Sequence, residues 1–193
     1  MERLTKYILL TLILGVLQIQ VGYAQQQLFT IKNSAEVKVS GTSTIHDWDM
    51  VTEGPLQGQA SINLLSGKLE GIQSLTIKVP VKSLKSGKSS MDKNAYEALK
   101  AEQFQSVDFQ LISLDEIQSK YLMATGKLSI AGVSQTVKMK VNYQVNGNSV
   151  LFSGNLPITF TQFKLSPPTA VFNTIKTGND LQISYKAIYE QKN

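Results

Sequence analysis

The chain has 193 residues, a formal net charge of +5, 42% hydrophobic residues and no cysteine. This length predicts one domain, and the lack of cysteine excludes both disulfides and a lipid anchor attached through cysteine. The positive charge does not indicate a nucleic-acid partner, because the lysines are spread along outward strand positions and form no basic face with interleaved aromatics. They include Lys38, Lys78, Lys82, Lys127, Lys138 and Lys140.

Residues 1–24 have the pattern of a cleaved export signal. Arg3 and Lys6 precede a mainly apolar stretch at residues 8–21, which is shorter than the roughly 20 residues that a membrane-spanning helix needs. Small residues follow and end at Ala24. We therefore predict cleavage after Ala24, a mature domain over residues 25–193, and a location in the periplasm or outside the cell. An uncleaved N-terminal anchor is the alternative.

The rest of the chain is dominated by alternating apolar and polar residues, which is typical of antiparallel strands with one face in water. After a polar lead at residues 25–33, the predicted strands are residues 36–44, 50–64, 72–84, 106–117, 121–131, 135–145, 150–160 and 180–189. The clearest is 135–145, where Val137, Met139 and Val141 point inward and Lys138 and Lys140 point outward. Glycine and proline at positions 54 and 55 predict a bend in the second strand.

The alternation stops between residues 83 and 104. Ala95, Leu99 and Phe104 recur there at roughly helical spacing, which predicts a short helix on a strand-to-strand connection. The candidate caps at its start are Asp92, or Asn94 together with Glu97 in a capping box.

The pattern alone leaves two architectures open. Eight antiparallel strands can close into a barrel with room for side chains or one small ligand, or they can fold into a two-sheet sandwich with a solid core. The sandwich would be an exported interaction module that binds a protein or a surface glycan without a lipid ligand.

Two separated blocks carry a family resemblance. The first runs through Ser83-Leu84, a polar loop, Asp92, the short helix, Phe104 and Val107-Asp108-Phe109. The second, residues 124–137, fits the pattern G-x-L-x-I-x-G-V-x-x-x-V. Together they resemble the YceI-like lipid/polyisoprenoid-binding family over nearly the whole mature chain. The resemblance implies an all-β fold, a lipocalin-like eight-stranded antiparallel β-barrel with a short helix on one inter-strand connection.

The resemblance also implies a non-catalytic binding function. The ligand would be a polyisoprenoid or a related long-chain amphiphile, such as a quinone or a prenyl phosphate, held in an apolar tunnel for transport, storage or stress protection. A transient membrane contact and a homodimer stay open, and no cofactor, metal or catalytic residue is expected. Strand phase and family topology place these residues at the ligand: Val79, Val81, Phe104, Phe109, Leu128, Ile130, Val141, Phe152, Phe163 and Ile183, with His46 and Trp48 at the head group.

The loop predicted at residues 161–179 is unusually apolar and aromatic. Phe163, Leu165, Val171 and Phe172 would either form a lid over the barrel core or line the entrance for a lipid tail.

A hydrolase is the third hypothesis, because the single histidine, His46, lies close to Asp47 and Asp49. This hypothesis predicts that His46→Ala abolishes a turnover activity while the fold stays intact. Sequence neighbours on a strand point to opposite faces, however, and a zinc site needs three or four ligands in a chain without cysteine or a second histidine. A structural corner in which Trp48 packs at a barrel end is the competing interpretation.

Overall fold

The computed structural model describes residues 27–170 and 174–192. The predicted export signal at residues 1–24 lies outside these ranges, and so do Val171 and Phe172 of the predicted lid or entrance. Within the described ranges, no helix has the length and apolar character needed to cross a membrane.

The described residues form a chain of strands interrupted by one α-helix and two short 3-10 turns. The strands are β1 (Gln27–Ile31), β2 (Glu36–Ser43), β3 (Trp48–Thr52), β4 (Gln57–Leu65), β5 (Lys68–Pro80), β6 (Leu84–Lys85), β7 (Ser106–Ile117), β8 (Tyr121–Ile130), β9 (Val133–Asn146), β10 (Ser149–Thr159), β11 (Thr169–Ala170) and β12 (Ile175–Gln191). The helix α1 spans Ser89–Ala98, and the 3-10 turns span Val81–Ser83 and Thr161–Phe163.

Eight of these strands close into an antiparallel barrel in the order β1-β4-β5-β7-β8-β9-β10-β12. The ring closes because β12 also pairs with β1, with Phe29 opposite Gln191. Strands β2, β3 and β6 extend β1, β4 and β5 toward one end, since β2 pairs with both β12 and β3, and β3 pairs with β6. The predicted lipocalin-like barrel is confirmed, and the two-sheet sandwich is wrong.

The strand pattern is largely as predicted. The strand at residues 106–117 has the predicted bounds, and in β9 residues 137, 139 and 141 are more buried than the lysines between them. The bend at Gly54 and Pro55 is the gap between β3 and β4.

Several boundaries differ from the sequence prediction. The polar lead forms β1, because its backbone pairs with β4 and β12 while Phe29 is fully buried. The final strand begins at Ile175 instead of 180, since Thr177 pairs with Ser43 of β2. The strand predicted to reach residue 84 ends at Pro80, where the 3-10 turn begins.

The two ends of the barrel are built differently. At the end we call the closed end, large side chains fill the interior, and those with almost no exposure are Phe29, Ile62, Leu122, Val150 and Tyr189. The rings of Phe152 and Tyr189 meet there edge to face, with their centroids 6.0 Å apart. The opposite end, the open end, carries the turn at residues 44–47, helix α1 and the segment 160–170.

Candidate functional site

A cavity of about 430 Å³ occupies the barrel between the two ends. Phe152 and Tyr189 form its floor at the closed end, and helix α1 and the segment around Pro168 and Thr169 surround its opening. Its wall consists mainly of valine, leucine, isoleucine, methionine and phenylalanine side chains from β2, β3, β5, β7–β10 and β12. Such a wall suits a predominantly apolar ligand.

Helix α1 covers part of the opening with one face. Met91, Ala95 and Ala98 lie three or four positions apart, so they share the face that lines the cavity. The predicted caps are wrong: the helix begins after Lys88 without a side-chain cap, and Asn94 and Glu97 lie inside it.

Asp92 instead connects the helix to the chain before it. Its carboxylate accepts hydrogen bonds from the backbone N–H and the hydroxyl of Ser86, at 2.8 and 2.7 Å, and lies 3.8 Å from the Lys85 ammonium. Burial raises the pKa of Asp92, but the Ser86 hydrogen bonds and the Lys85 charge outweigh it, and the net pKa lies below its ordinary value. The hydroxyl of Tyr96 donates to the Leu84 carbonyl at 2.8 Å, so the helix is held along the side of β6.

Asp92→Ala should lower the free energy of unfolding by about 1.5 to 3 kcal/mol at neutral pH, because it removes charge-assisted hydrogen bonds to a buried carboxylate. Urea unfolding measures this, and Lys93→Ala, at the exposed neighbour, should change it by less than about 0.5 kcal/mol.

The pH dependence of that loss follows from the lowered pKa. The carboxylate is harder to protonate in the folded chain, so its stabilisation is complete above an unfolded pKa of about 3.9 and disappears as the pH falls through the folded pKa. The difference between the wild type and Asp92→Ala should therefore be the same at pH 7 and pH 5 and shrink below about pH 4. A difference that is already smaller at pH 5 would contradict this role.

The structure brings most of the predicted ligand residues together on the cavity wall. These are His46, Trp48, Val79, Phe109, Leu128, Ile130, Val141, Phe152, Phe163 and Ile183. Phe163 and Leu165 also line the cavity, so the described part of the apolar loop is both a cover and a wall.

Val81 and Phe104 are not on the cavity wall, which corrects their predicted place. Val81 is 1% exposed in the 3-10 turn after β5, where its N–H donates to the Gln105 carbonyl. The turn ends the strand alternation, which would otherwise have placed Val81 on the same inward face as Val79. The Phe104 ring packs on Gly132 in the turn between β8 and β9, where a β-carbon would collide with it.

The predicted set of ligand residues left out several residues of the cavity wall. Ile77, Met139 and Leu181 belong to the same alternating phases as predicted wall residues, so strand phase alone could have found them. The sequence gives no such signal for Met91 and Asn94 of helix α1. Which face of the helix lines the cavity depends on how the helix is attached to the barrel.

His46 lies in an exposed turn at the opening. The backbone N–H of His46 donates to the Ser43 hydroxyl, and this hydroxyl donates to the backbone carbonyl of His46. The Nδ1 atom of the His46 ring lies 2.8 Å from the backbone oxygen of Asp47. The ring thus has a backbone partner where a catalytic histidine would need an orienting carboxylate. Trp48 packs against Gly41 and donates from Nε1 to the Thr42 carbonyl at 3.0 Å, which is the structural corner that the sequence suggested.

Residues 27–170 and 174–192 contain no group of three or more histidine, cysteine, aspartate or glutamate side chains placed to hold a metal ion.

Comparison with known proteins gives one family match. The family model of the YceI-like domain matches residues 20–188. The chain belongs to the YceI-like family. No curated protein matches this YceI-like chain in a sequence comparison.

Solved structures share the fold of this YceI-like protein at low sequence identity. Burkholderia cenocepacia BcnA is 18% identical with a TM-score of 0.68, covering 82% of this chain and 98% of its own. A polyisoprenoid binding domain from Saccharophagus degradans, implicated in plant cell wall breakdown, is 11% identical with a TM-score of 0.65, covering 87% and 100%. The Campylobacter jejuni YceI protein is 17% identical with a TM-score of 0.55, covering 70% and 81%.

Proposed function

We propose that this YceI-like protein is an exported, non-catalytic binding protein that holds a polyisoprenoid or a related long-chain amphiphile in its barrel. The observation that carries the proposal is the cavity of about 430 Å³, which has an apolar wall, a filled floor and an opening at one end. Each methylene of a tail that leaves water for such a wall contributes roughly 0.8 kcal/mol, so no catalytic group is needed to retain the tail.

The similarity to the Saccharophagus degradans polyisoprenoid binding domain supports an isoprenoid tail. Export is proposed from the basic, apolar and small-residue pattern of residues 1–24. Outside the cytoplasm, a protein of this kind would carry or store a lipid that water does not dissolve.

The surroundings of the opening support a brief membrane contact during loading. Ile45 is 64% exposed although it borders the cavity, and Lys88 lies exposed on the same border. An exposed apolar side chain and a cation on the border of the same opening suit the surface of a bilayer with anionic head groups. His46, Ser90 and Asn94 also border the opening and would face the polar part of a ligand whose tail is inside.

Mass spectrometry of an organic extract tests the proposal. The mature protein, purified from its own periplasm without detergent, should release about one long-chain lipid per protein, whereas an unrelated exported protein purified in parallel should release none. An empty extract, both directly and after incubation with prenyl lipids, would contradict lipid binding.

A further inference from the structure

The wall of the cavity carries a polar group deep in the barrel. The side chain of Tyr185 on β12 lines the cavity, and its ring lies against Gly154 of β10, where a β-carbon would collide with the hydroxyl. Along β12, Tyr185 is closer to the floor than to the opening, because four residues separate it from Tyr189 and eight residues, with a bulge among them, separate it from Thr177.

The Tyr185 hydroxyl has a poor hydrogen-bond partner. Among the residues that the structure describes, its only partner is the thioether of Met139, with the oxygen 3.9 Å from Sδ. A thioether is a weak acceptor. Burial raises the pKa of Tyr185 well above its ordinary value, so the hydroxyl keeps its proton and remains a donor.

Tyr189, on the cavity floor, is a comparison within the same barrel, because its hydroxyl has a good hydrogen-bond acceptor. It also lines the cavity, yet its hydroxyl donates to the backbone carbonyl of Thr76 at 2.7 Å. A donor that faces an apolar cavity without a good acceptor gains a hydrogen bond when a ligand oxygen is placed beside it.

We infer that the Tyr185 hydroxyl is a specificity-determining donor, and that the ligand carries a neutral oxygen acceptor, such as a carbonyl, in the part inserted deep in the barrel. This inference rests on the proposed function and narrows its ligand class. The acceptor is neutral because, of the described residues that line the cavity, only Lys88 at the opening is a lysine or arginine, and a buried unpaired anion is strongly unfavourable. A phosphate at the opening is compatible only if the inserted portion has an additional oxygen.

A competition between two matched probes tests the inference. Pristane is a saturated, methyl-branched hydrocarbon, and its methyl-ketone analogue carries an acetyl group in place of one terminal isopropyl group. The two molecules differ only by a carbonyl oxygen in place of a methyl branch. Both are supplied together from cyclodextrin to the lipid-free mature protein, and gas chromatography of the extracted protein gives the bound ketone-to-pristane ratio.

Tyr185→Phe should lower this ratio by about three- to tenfold, the worth of one hydrogen bond, mainly through weaker ketone binding. Tyr143→Phe is the matched control, because its hydroxyl donates to the Gln118 carbonyl and its side chain is not on the cavity wall. It should leave the ratio unchanged. Thermal unfolding of each variant confirms that the fold is kept.

An infrared spectrum of the ketone, isotopically labelled at its carbonyl carbon and bound to the wild type, gives a second test that does not depend on binding ratios. The carbonyl stretch should lie below its frequency in hexane if Tyr185 donates to it, and Tyr185→Phe should restore the hexane frequency. An unshifted stretch, or a ratio that Tyr185→Phe does not change, would overturn the inference while leaving lipid binding in place. Failure of the wild type to bind either probe would count against the proposed function itself.

Discussion

Phe29→Ala should lower the free energy of unfolding by about 3 to 5 kcal/mol, the range for removing a large aromatic side chain from a packed core. Phe29 is fully buried at the closed end, on the strand that joins the first and last parts of the barrel. Urea unfolding followed by circular dichroism measures the change.

Leu28→Ala is the matched control for this prediction. Leu28 is the preceding residue on the same strand, points the other way and is 47% exposed. Its truncation should therefore lower the free energy of unfolding by less than about 1 kcal/mol. Similar losses in the two variants would show that the closed end is not the packed core described above. Phe29 does not line the cavity, so lipid bound per folded molecule should not change.

Ile183→Trp should reduce lipid occupancy by more than tenfold, at a lipid concentration well below the Kd of the wild type, while the barrel still folds. Ile183 lines the cavity on β12, and an indole ring there would occupy space that the tail needs. Excluding only two methylenes removes about 1.6 kcal/mol of binding free energy, which already exceeds tenfold in affinity. The same organic extraction, after incubation with prenyl lipids, measures occupancy.

Lys186→Trp is the control, because Lys186 lies on the same strand and is exposed on the outside of the barrel. It introduces the same side chain without filling the cavity, so occupancy should match the wild type. Thermal unfolding should show both variants folded. Normal lipid occupancy in a folded Ile183→Trp protein would mean that the ligand does not occupy this cavity.

The sequence predicted those features that depend on neighbouring residues. Alternation located the strand at residues 106–117 and the inward phase of β9, because each residue on a strand faces opposite to the next. The closure of the barrel has no such local signal. Phe29 pairs with Gln191, and the sequence around either residue does not indicate this pairing. Only the family resemblance therefore distinguished the barrel from a sandwich.

The errors in the candidate site have a related cause. Val81 was placed by extending a strand past Pro80, but a short 3-10 turn was enough to remove it from the wall. Asp92 was expected to cap its own helix, but its carboxylate accepts hydrogen bonds from Ser86, because the connection before the helix brings the Ser86 donors to it. The donor role inferred for Tyr185 was likewise not predictable, since the partners of a hydroxyl depend on side chains from other strands.

The way the barrel closes has a consequence for when it can be filled. In the barrel, strand β5 pairs with β7, and strands β7 to β10 each pair with the next strand along the chain, so this part of the barrel forms without pairing the two ends of the domain. The seam between β12 and the two strands β1 and β2 joins residues near opposite ends of the domain, and such pairings form slowly because a long loop must be closed first. Until β12 has been synthesised and has joined this seam, no cavity encloses a tail. We therefore expect ligand loading to follow the pairing of β12 with β1 and β2.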